Sequence, residues 1–351
     1  MLPKITYHVQ GKEILDNHGK VFIPYGVLVV GLSVPNWRHN LGIAHLTRDQ
    51  MVAARNLWYA NTVSLLVASQ DLFAAYPYDK AYLAKIDQEV AWANEENMNL
   101  LLVLQYEDTT KQYLPTRDTA HFWDFMSRHY RQNPRVFFDV FNEPLSPTGI
   151  DDDAAWMLWR GGGTVNNTTY VGMQQLVDSI RGNHASNLLF VDGLATAEDI
   201  KRLPSHLLSG SNIVYAVHPY FNATQHATPG QWDFWFGNAA RVISSPVVVD
   251  EWSEYQSATN LECFPQAPAV VPLFLNYIKE RHMGLIAWAL FPGLLIRGWN
   301  YDNPTAFDQP VYLCNALFPN YDPHAQGAGQ LVRHFFKVNS SLPSGQQQYP
   351  F

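Results

Sequence analysis

The chain has 351 residues, of which 47% are hydrophobic and 15% are charged, so it can bury a large core and does not have the composition of a disordered protein. Its formal net charge of −8, without a long run of lysine and arginine, argues against a nucleic-acid partner. Aromatic residues make up 14% of the sequence, with 11 tryptophans and 18 tyrosines. Such rings fill protein cores, and they also stack on the apolar faces of sugars.

The sequence lacks several other signals. The sequence contains no run of about 18 apolar residues, so we predict neither a membrane span nor a membrane partner. The start, Met1–Tyr7, has no charged segment followed by an apolar one, so we expect a cytoplasmic protein, or a secreted one whose leader was removed. Cys263 and Cys314 are too few for a disulfide framework. Without a His-Glu-x-x-His motif or a close Cys/His cluster, we predict neither a metal nor a cofactor.

Short apolar runs alternate along the chain with longer segments of helical pattern. Most runs are apolar throughout, as expected for parallel strands that are buried on both faces. The predicted strands are Ile23–Val30, Thr62–Ala68, Leu100–Gln105, Val136–Asn142, Leu188–Asp192, Ile213–His218, Val247–Glu251 and Leu285–Ala289. The predicted helices are Thr47–Leu57, Tyr78–Asn97, Ala120–Tyr130, Tyr170–Asn183, Gln231–Val242, Pro268–Arg281 and Gly327–Val338.

Eight strands with helices between them, over about 300 residues, predict an α/β fold of the (β/α)8 TIM-barrel type. A doubly wound sheet is the alternative, but no Gly-x-Gly-x-x-Gly follows the first strand, and Gly161-Gly162-Gly163 lies in a predicted long loop. The segments His8–Asp16 and Val21–Ile23 predict a small N-terminal β-hairpin that caps the barrel bottom. Because no repeat or linker-like segment is visible, we predict a single domain over residues 1–351.

Two glutamates lie at the ends of predicted strands. Glu143 follows Asn142 after the fourth strand, and Glu251 ends the seventh. Barrel enzymes build their active sites from the C-terminal ends of strands. A retaining glycosidase needs two carboxyl groups there, one as acid/base and one as nucleophile. The pair therefore predicts retaining glycosidase chemistry.

Four motifs at these strand ends resemble those of the cellulase-like glycoside hydrolases of family 5. They are Asn142-Glu143-Pro144 after the fourth strand, His218-Pro219-Tyr220 after the sixth, Glu251 at the end of the seventh and Trp288 in the eighth. The resemblance covers most of the chain, from Gly19 to Trp288. Each motif alone is weak, but the four in this order at barrel-like spacing are specific.

The resemblance implies a role for each matching residue. Glu143 would be the acid/base and Glu251 the nucleophile. Asn142 would bind the 2-hydroxyl group of the sugar, and Tyr220 would orient Glu251.

Further residues are implied to bind the substrate. His218 would shape the same pocket, and Trp288 would form the floor beneath the −1 sugar. The remaining sugar-binding candidates near strand ends are Gln105, Trp37, Trp252 and Trp299.

Two positions differ from the family pattern. Ser64 stands in the second strand where the family usually has an arginine, and Gln105 ends the third strand where a histidine is common. Losing a cation would tend to raise the pKa of Glu251 unless hydrogen bonds compensate. Arg38 is a candidate replacement for the missing arginine.

The sequence thus predicts hydrolysis of a β-linked glucan- or mannan-type oligosaccharide or glycoside by double displacement. Long segments after three strands, Pro144–Thr169, Tyr220–Asp233 and Trp252–Pro268, favour a pocket-like site. One alternative is an exo-acting or disaccharide-releasing β-glycosidase or transglycosylase. Another is a barrel that binds carbohydrate without catalysis.

Overall fold

The computed structural model describes residues 5–32, 44–106, 113–220, 227–253, 267–292, 294–305 and 328–340. The strands are β1 (Tyr7–Gln10), β2 (Glu13–Asp16), β3 (Val21–Phe22), β4 (Tyr25–Val29), β5 (Thr62–Ala68), β6 (Asn99–Tyr106), β7 (Val136–Asp139), β8 (Gly162–Val165), β9 (Thr168–Val171), β10 (Leu189–Asp192), β11 (Ile213–Val217), β12 (Val247–Trp252) and β13 (Leu285–Ala287). Eight of them, β4 to β7 and β10 to β13, are parallel and form a closed barrel. This confirms the predicted fold class.

The helices follow the barrel strands along the chain. They are α1 (Arg48–Asn56), α2 (Ser69–Leu72), α3 (Lys80–Glu95), α4 (Arg117–Tyr130), α5 (Asp153–Gly161), α6 (Met173–Gly182), α7 (Pro229–Trp232), α8 (Asn238–Val242), α9 (Ala267–Glu280) and α10 (Ala328–Asn339). Thr47 caps α1, since its hydroxyl accepts a hydrogen bond from the amide of Gln50. No helix in the described part of the chain is long and apolar enough to cross a membrane.

The barrel strands are buried on both faces, which explains their continuous apolar sequence. Along β5, Val63 and Leu65 pack in the layer between barrel and helices, whereas Leu66 packs inside the barrel. The same alternation places Phe137 of β7 and Val248 of β12 in the interior. It fixes which side chains at the strand ends face the inside of the barrel.

All eight predicted barrel strands are confirmed, with small differences at their ends. β7 stops at Asp139, three residues before the predicted end at Asn142. The predicted helix Gln231–Val242 is divided into α7, a π-helical turn at Asp233–Gly237, and α8.

The segment after β7 is more ordered than the predicted long loop. It contains α5 and an antiparallel hairpin of β8 and β9. The hairpin turn is Asn166-Asn167, with φ of 50° and 63°. Two left-handed residues form the turn that matches the twist of a hairpin, and asparagine tolerates this conformation. Gly162 and Gly163 therefore belong to a strand rather than to a loop.

The N-terminal cap is a three-stranded antiparallel sheet, one strand larger than a hairpin. It consists of β1, β2 and β3. The ring of Tyr7 packs against Phe22 at 4.6 Å and against Phe137 of the barrel interior at 5.4 Å. The sheet thus covers the N-terminal end of the barrel, opposite to the strand ends that carry the candidate site.

Candidate active site

Glu143 is held by a tight turn after β7. Its φ is +52°, in the left-handed region, which is uncommon for a residue with a side chain. The amide of Asn142 donates to the carbonyl of Leu104 in β6 at 3.0 Å. The amide of Glu143 donates to the Asp192 carboxyl at the end of β10 at 2.8 Å. These hydrogen bonds fix the backbone, and the Glu143 side chain remains 23% exposed.

Glu251 lies near the end of β12 and is almost completely buried. The hydroxyl of Tyr220 donates a hydrogen bond to Glu251 Oε1 at 2.7 Å. The pairing of β12 with β13 is irregular between Val249 and Trp252. Val248 faces the barrel interior, so strict alternation would also turn Asp250 inward and Glu251 outward. The irregularity lets both neighbours reach the site, as β-bulges beside active sites commonly do.

His218 connects the two strand ends and is 1% exposed. Its Nδ1 lies 3.3 Å from Glu143 Oε1, and its Nε2 lies 3.2 Å from Asp250 Oδ1 and 3.7 Å from Asp192 Oδ2. Burial lowers the pKa of His218, but Asp192, Glu251, Asp250 and Glu143 together raise it well above its ordinary value. The surrounding carboxyl groups therefore favour the protonated form of His218.

The two glutamates are close together. An oxygen of Glu143, an oxygen of Glu251 and a nitrogen of His218 all lie within 4.8 Å of one another. Burial raises the pKa of Glu251 to about 7, and the charges of Glu143 and Asp250 act in the same direction. The charge of His218 and the hydrogen bond from Tyr220 oppose this rise. Glu251 is thus a carboxyl group whose ionisation depends on its neighbours.

Asn142 and Trp288 complete the predicted set around these carboxyl groups. Asn142 is buried, and its Oδ1 has no hydrogen-bond partner among the described residues. Trp288 is 7% exposed and packs with Tyr220 and Phe291 in the cluster that fills the barrel interior. Its amide donates to the carbonyl of Trp252 at 2.8 Å.

The other aromatic candidates differ in position. Trp299 is half-buried, stacks on His45 at 3.5 Å and meets the edge of Phe291. Trp252 is fully buried and stacks on Phe274 of α9 at 4.8 Å, in the layer between barrel and helices. Its predicted place in a sugar-binding wall is therefore wrong, because it follows Glu251 on the strand and points to the other face. Trp37 lies outside the described residues.

The two unusual positions are also located. Ser64 has the same strand parity as Leu66 and is fully buried inside the barrel, and its hydroxyl has no hydrogen-bond partner among the described residues. Gln105 is half-buried near the end of β6. Arg38, the candidate replacement cation, lies outside the described residues.

Three buried aspartates beneath the glutamates were not predicted as site residues. They are Asp139 of β7, Asp192 of β10 and Asp250 of β12. Burial raises the pKa of Asp139 well above its usual value, and Asp192 and Asp250 add to this rise. The signal in the sequence was an aspartate on the inward parity of each strand, two residues after Phe137, Phe190 and Val248.

Two sets of side chains are close enough to share a metal ion. One is Glu143, His218 and Glu251, and the other is Asp192, His218 and Asp250. His218 belongs to both sets, and its nitrogens lie at hydrogen-bonding distance from Glu143 and Asp250, which suits a proton on each nitrogen. That the protein uses no metal or cofactor stays a prediction.

A parallel eight-stranded barrel with two close carboxyl groups at its strand ends is the arrangement of a glycoside hydrolase. Residues 16–293 match the family model for cellulase, glycosyl hydrolase family 5. The chain therefore belongs to glycosyl hydrolase family 5, as its motifs predicted.

The relatives of the chain are distant in sequence. The chain is 22% identical to an endoglucanase of Paenibacillus polymyxa over 84% of this chain and 83% of that protein. It is 20% identical to endoglucanase N of Pectobacterium atrosepticum over 80% of this chain. It spans 56% of that protein and 50% of endoglucanase 5 of Pectobacterium carotovorum.

Solved structures share the fold. A β-glucanase from Saccharophagus degradans has a TM-score of 0.68 and 21% identity, covering 91% of this chain and 94% of its own. The same β-glucanase has been solved with cellotetraose, also with a TM-score of 0.68. An endocellulase from Pyrococcus horikoshii in complex with cellotetraose has a TM-score of 0.68 and 15% identity, covering 90% of this chain.

Proposed function

We propose that this protein is a retaining β-glycosidase that hydrolyses β-linked glucan chains or oligosaccharides. The distance of no more than 4.8 Å between oxygens of Glu143 and Glu251 carries the proposal. Retaining glycosidases hold their carboxyl groups about 5–5.5 Å apart, whereas inverting enzymes need about 6.5–9.5 Å to admit a water molecule. The 4.8 Å limit joins one oxygen of each group rather than the centres of the two carboxyl groups, and oxygens this close favour the shorter spacing of a retaining enzyme.

In the first step, Glu251 attacks the anomeric carbon and Glu143 gives its proton to the leaving oxygen. Tyr220 occupies Oε1 of Glu251, so Oε2 is the attacking atom. The bond from the anomeric carbon to the leaving oxygen breaks as the bond to Oε2 forms, and a glycosyl-enzyme ester results. Glu143 is the more exposed of the two carboxyl groups, which suits contact with the leaving group.

In the second step, Glu143 acts as the base. It removes a proton from a water molecule that attacks the same carbon, and Glu251 leaves as a carboxylate. Asn142 binds the 2-hydroxyl group of the sugar through its side-chain amide, and Trp288 supplies an apolar surface beneath the ring. The product keeps the anomeric configuration of the substrate.

A glucan substrate is supported by the relatives. Those named above are endoglucanases, a β-glucanase and an endocellulase, and two of the solved structures hold cellotetraose. A purely carbohydrate-binding barrel is less well supported, because binding alone does not require two carboxyl groups at this spacing. Transfer to a sugar acceptor would use the same two glutamates.

The test combines product analysis with chemical rescue. Proton NMR of freshly released sugar from cello-oligosaccharides should show the β-anomer first. E251Q should lose at least about 10³-fold in kcat, because the nucleophile is removed. With an activated aryl β-glucoside, azide should rescue E251A to an α-glycosyl azide and E143A to a β-glycosyl azide.

The control is E13Q, which changes an exposed glutamate at the opposite end of the barrel and should keep full activity. Initial release of the α-anomer from the β-linked substrate would contradict the retaining mechanism. Sugar binding without turnover in the wild-type protein, and equally in E251Q, would favour the binding barrel.

A further inference from the structure

A layer of ionisable side chains lies inside the barrel directly beneath the two glutamates. It consists of Asp139, Asp192, His218 and Asp250, each at most 3% exposed. All four share strand parity with residues of the interior cluster, so they face inward. Charged groups are seldom buried in this way without a partner, so each charge in this layer needs an opposite charge or a hydrogen bond to compensate it.

His218 has carboxyl groups at both of its nitrogens. Nε2 faces Asp250 at 3.2 Å and Asp192 at 3.7 Å, and Nδ1 faces Glu143 at 3.3 Å. A neutral imidazole carries one N–H group and could donate on one side only. The imidazolium ion donates on both sides, so the geometry favours the charged form.

The other groups that face His218 are acids and one phenol. They are Asp139 of β7, Glu143 after β7, Asp192 of β10, Tyr220 after β11, and Asp250 and Glu251 of β12. No lysine or arginine in the described part of the chain forms an ion pair with any of these carboxyl groups. Ser64, at the inward position of β5, brings no charge.

We propose that Asp250 is a positioning residue: its Oδ1, 3.2 Å from Nε2 of His218, favours the doubly protonated form of this imidazole, and His218 thereby supplies the positive charge on which Glu251 depends. The role of Glu251 in this proposal rests on the function proposed above. The side chain of Asp250 acts through His218 and contacts no substrate. The neighbours Asp250 and Glu251 thus have linked roles: Glu251 is the nucleophile, and Asp250 stabilises the positive charge on His218 that lies near it.

Replacing Asp250 by asparagine should remove this charge pair with little change in shape. His218 would then lose its proton at a lower pH, and the pKa of Glu251, which burial already raises to about 7, would rise further. An opposite charge at this range shifts a carboxyl pKa by about 1–3 units. The acidic limb of the kcat/KM profile should thus move to higher pH by about one unit or more in D250N, and D250E should restore it.

D139N is the matched control. Asp139 lies in the same buried layer, but burial and the neighbouring aspartates raise its pKa well above its usual value, which favours its neutral form. Its Oδ1 accepts a hydrogen bond from the amide of Phe141, which asparagine can keep. The acidic limb of D139N should coincide with that of the wild-type protein.

A second readout does not depend on activity. The side-chain 15N shifts of His218 should report imidazolium in the wild-type protein at pH 7 and should titrate at a lower pH in folded D250N, where Asp192, Glu251 and Glu143 remain as acidic neighbours. Neutral His218 in the wild type, or a folded D250N in which His218 titrates at the wild-type pH, would overturn the proposal even if no substrate is found. If the 15N shifts behave as expected and no glycoside is hydrolysed, the positioning role stands and the proposed function fails.

Discussion

At the scale of single residues, the site depends on how each buried carboxyl group is stabilised. Glu251 has a hydrogen bond from Tyr220 at 2.7 Å and a nearby positive charge on His218. Both favour its ionised form against the effect of burial. Small chemical changes here should therefore alter the pH dependence of activity as well as its magnitude.

Tyr220→Phe tests the hydroxyl group alone. A hydrogen bond to a charged group is worth about 1.5–3 kcal/mol, so kcat/KM should fall by about 10- to 150-fold at its optimum. The pKa of Glu251 should rise because the hydroxyl no longer stabilises the carboxylate, and the acidic limb should move to higher pH. Initial-rate measurements from pH 5 to 9 would show both effects.

The control is Tyr130→Phe. The Tyr130 hydroxyl also donates to a carboxylate at 2.7 Å, that of Asp87, but it lies on the helical layer away from the strand ends. Its activity profile should match the wild type. An unchanged profile for Tyr220→Phe would show that Tyr220 has no role in ionising Glu251.

At the scale of elements, several helices end in a residue with left-handed backbone geometry. His184 follows α6 with a φ of 58°, and its amide donates to the carbonyl of Arg181 at 2.9 Å. Asn97 after α3 and His282 after α9 have similar φ values. Glycine is the usual residue at this position, because a Cβ is disfavoured there.

His184→Gly should therefore stabilise the protein by about 0.5–1 kcal/mol. His184 is exposed, so few other contacts change. Ser179→Gly, inside α6, should instead destabilise the protein by about 0.5 kcal/mol, because glycine is disfavoured within a helix. Thermal unfolding of both variants distinguishes the cases, and a lower melting temperature for His184→Gly would refute the backbone argument.

At the scale of the whole molecule, buried carboxyl groups make stability depend on pH. Glu89 on α3 is 2% exposed, and its Oε2 has no hydrogen-bond partner among the described residues. Burial raises the pKa of Glu89 to about 8. The folded state therefore binds a proton that the unfolded chain, with a glutamate pKa of about 4.3, releases.

This linkage fixes the sign of the effect. The contribution of Glu89 to stability is fully present below pH 4.3 and is lost as the pH rises through about 8. Glu89→Gln should leave the free energy of unfolding nearly unchanged at pH 4 and raise it by roughly 3–5 kcal/mol at pH 9. Urea unfolding at both pH values measures the difference.

Glu95→Gln, an exposed change on the same helix, should alter stability by less than about 1 kcal/mol at both pH values. If Glu89→Gln and the wild type had the same free energy of unfolding at pH 9, ionisation of Glu89 would not destabilise the folded protein, and the prediction would be wrong.

The sequence alone determined the barrel and the positions of the two glutamates. Parallel strands buried on both faces tolerate few polar residues, so they can be recognised in the sequence as continuous apolar runs. The C-terminal ends of these strands lie at one face of the barrel, so residues that follow the strands are expected to meet there. Tertiary structure decided the rest. It turned Trp252 away from the site, and an irregular strand pairing let the neighbours Asp250 and Glu251 both reach the site. It also placed His218 between carboxyl groups from three strands, since which side chains share a buried layer depends on the register and closure of the barrel, which no local sequence pattern encodes.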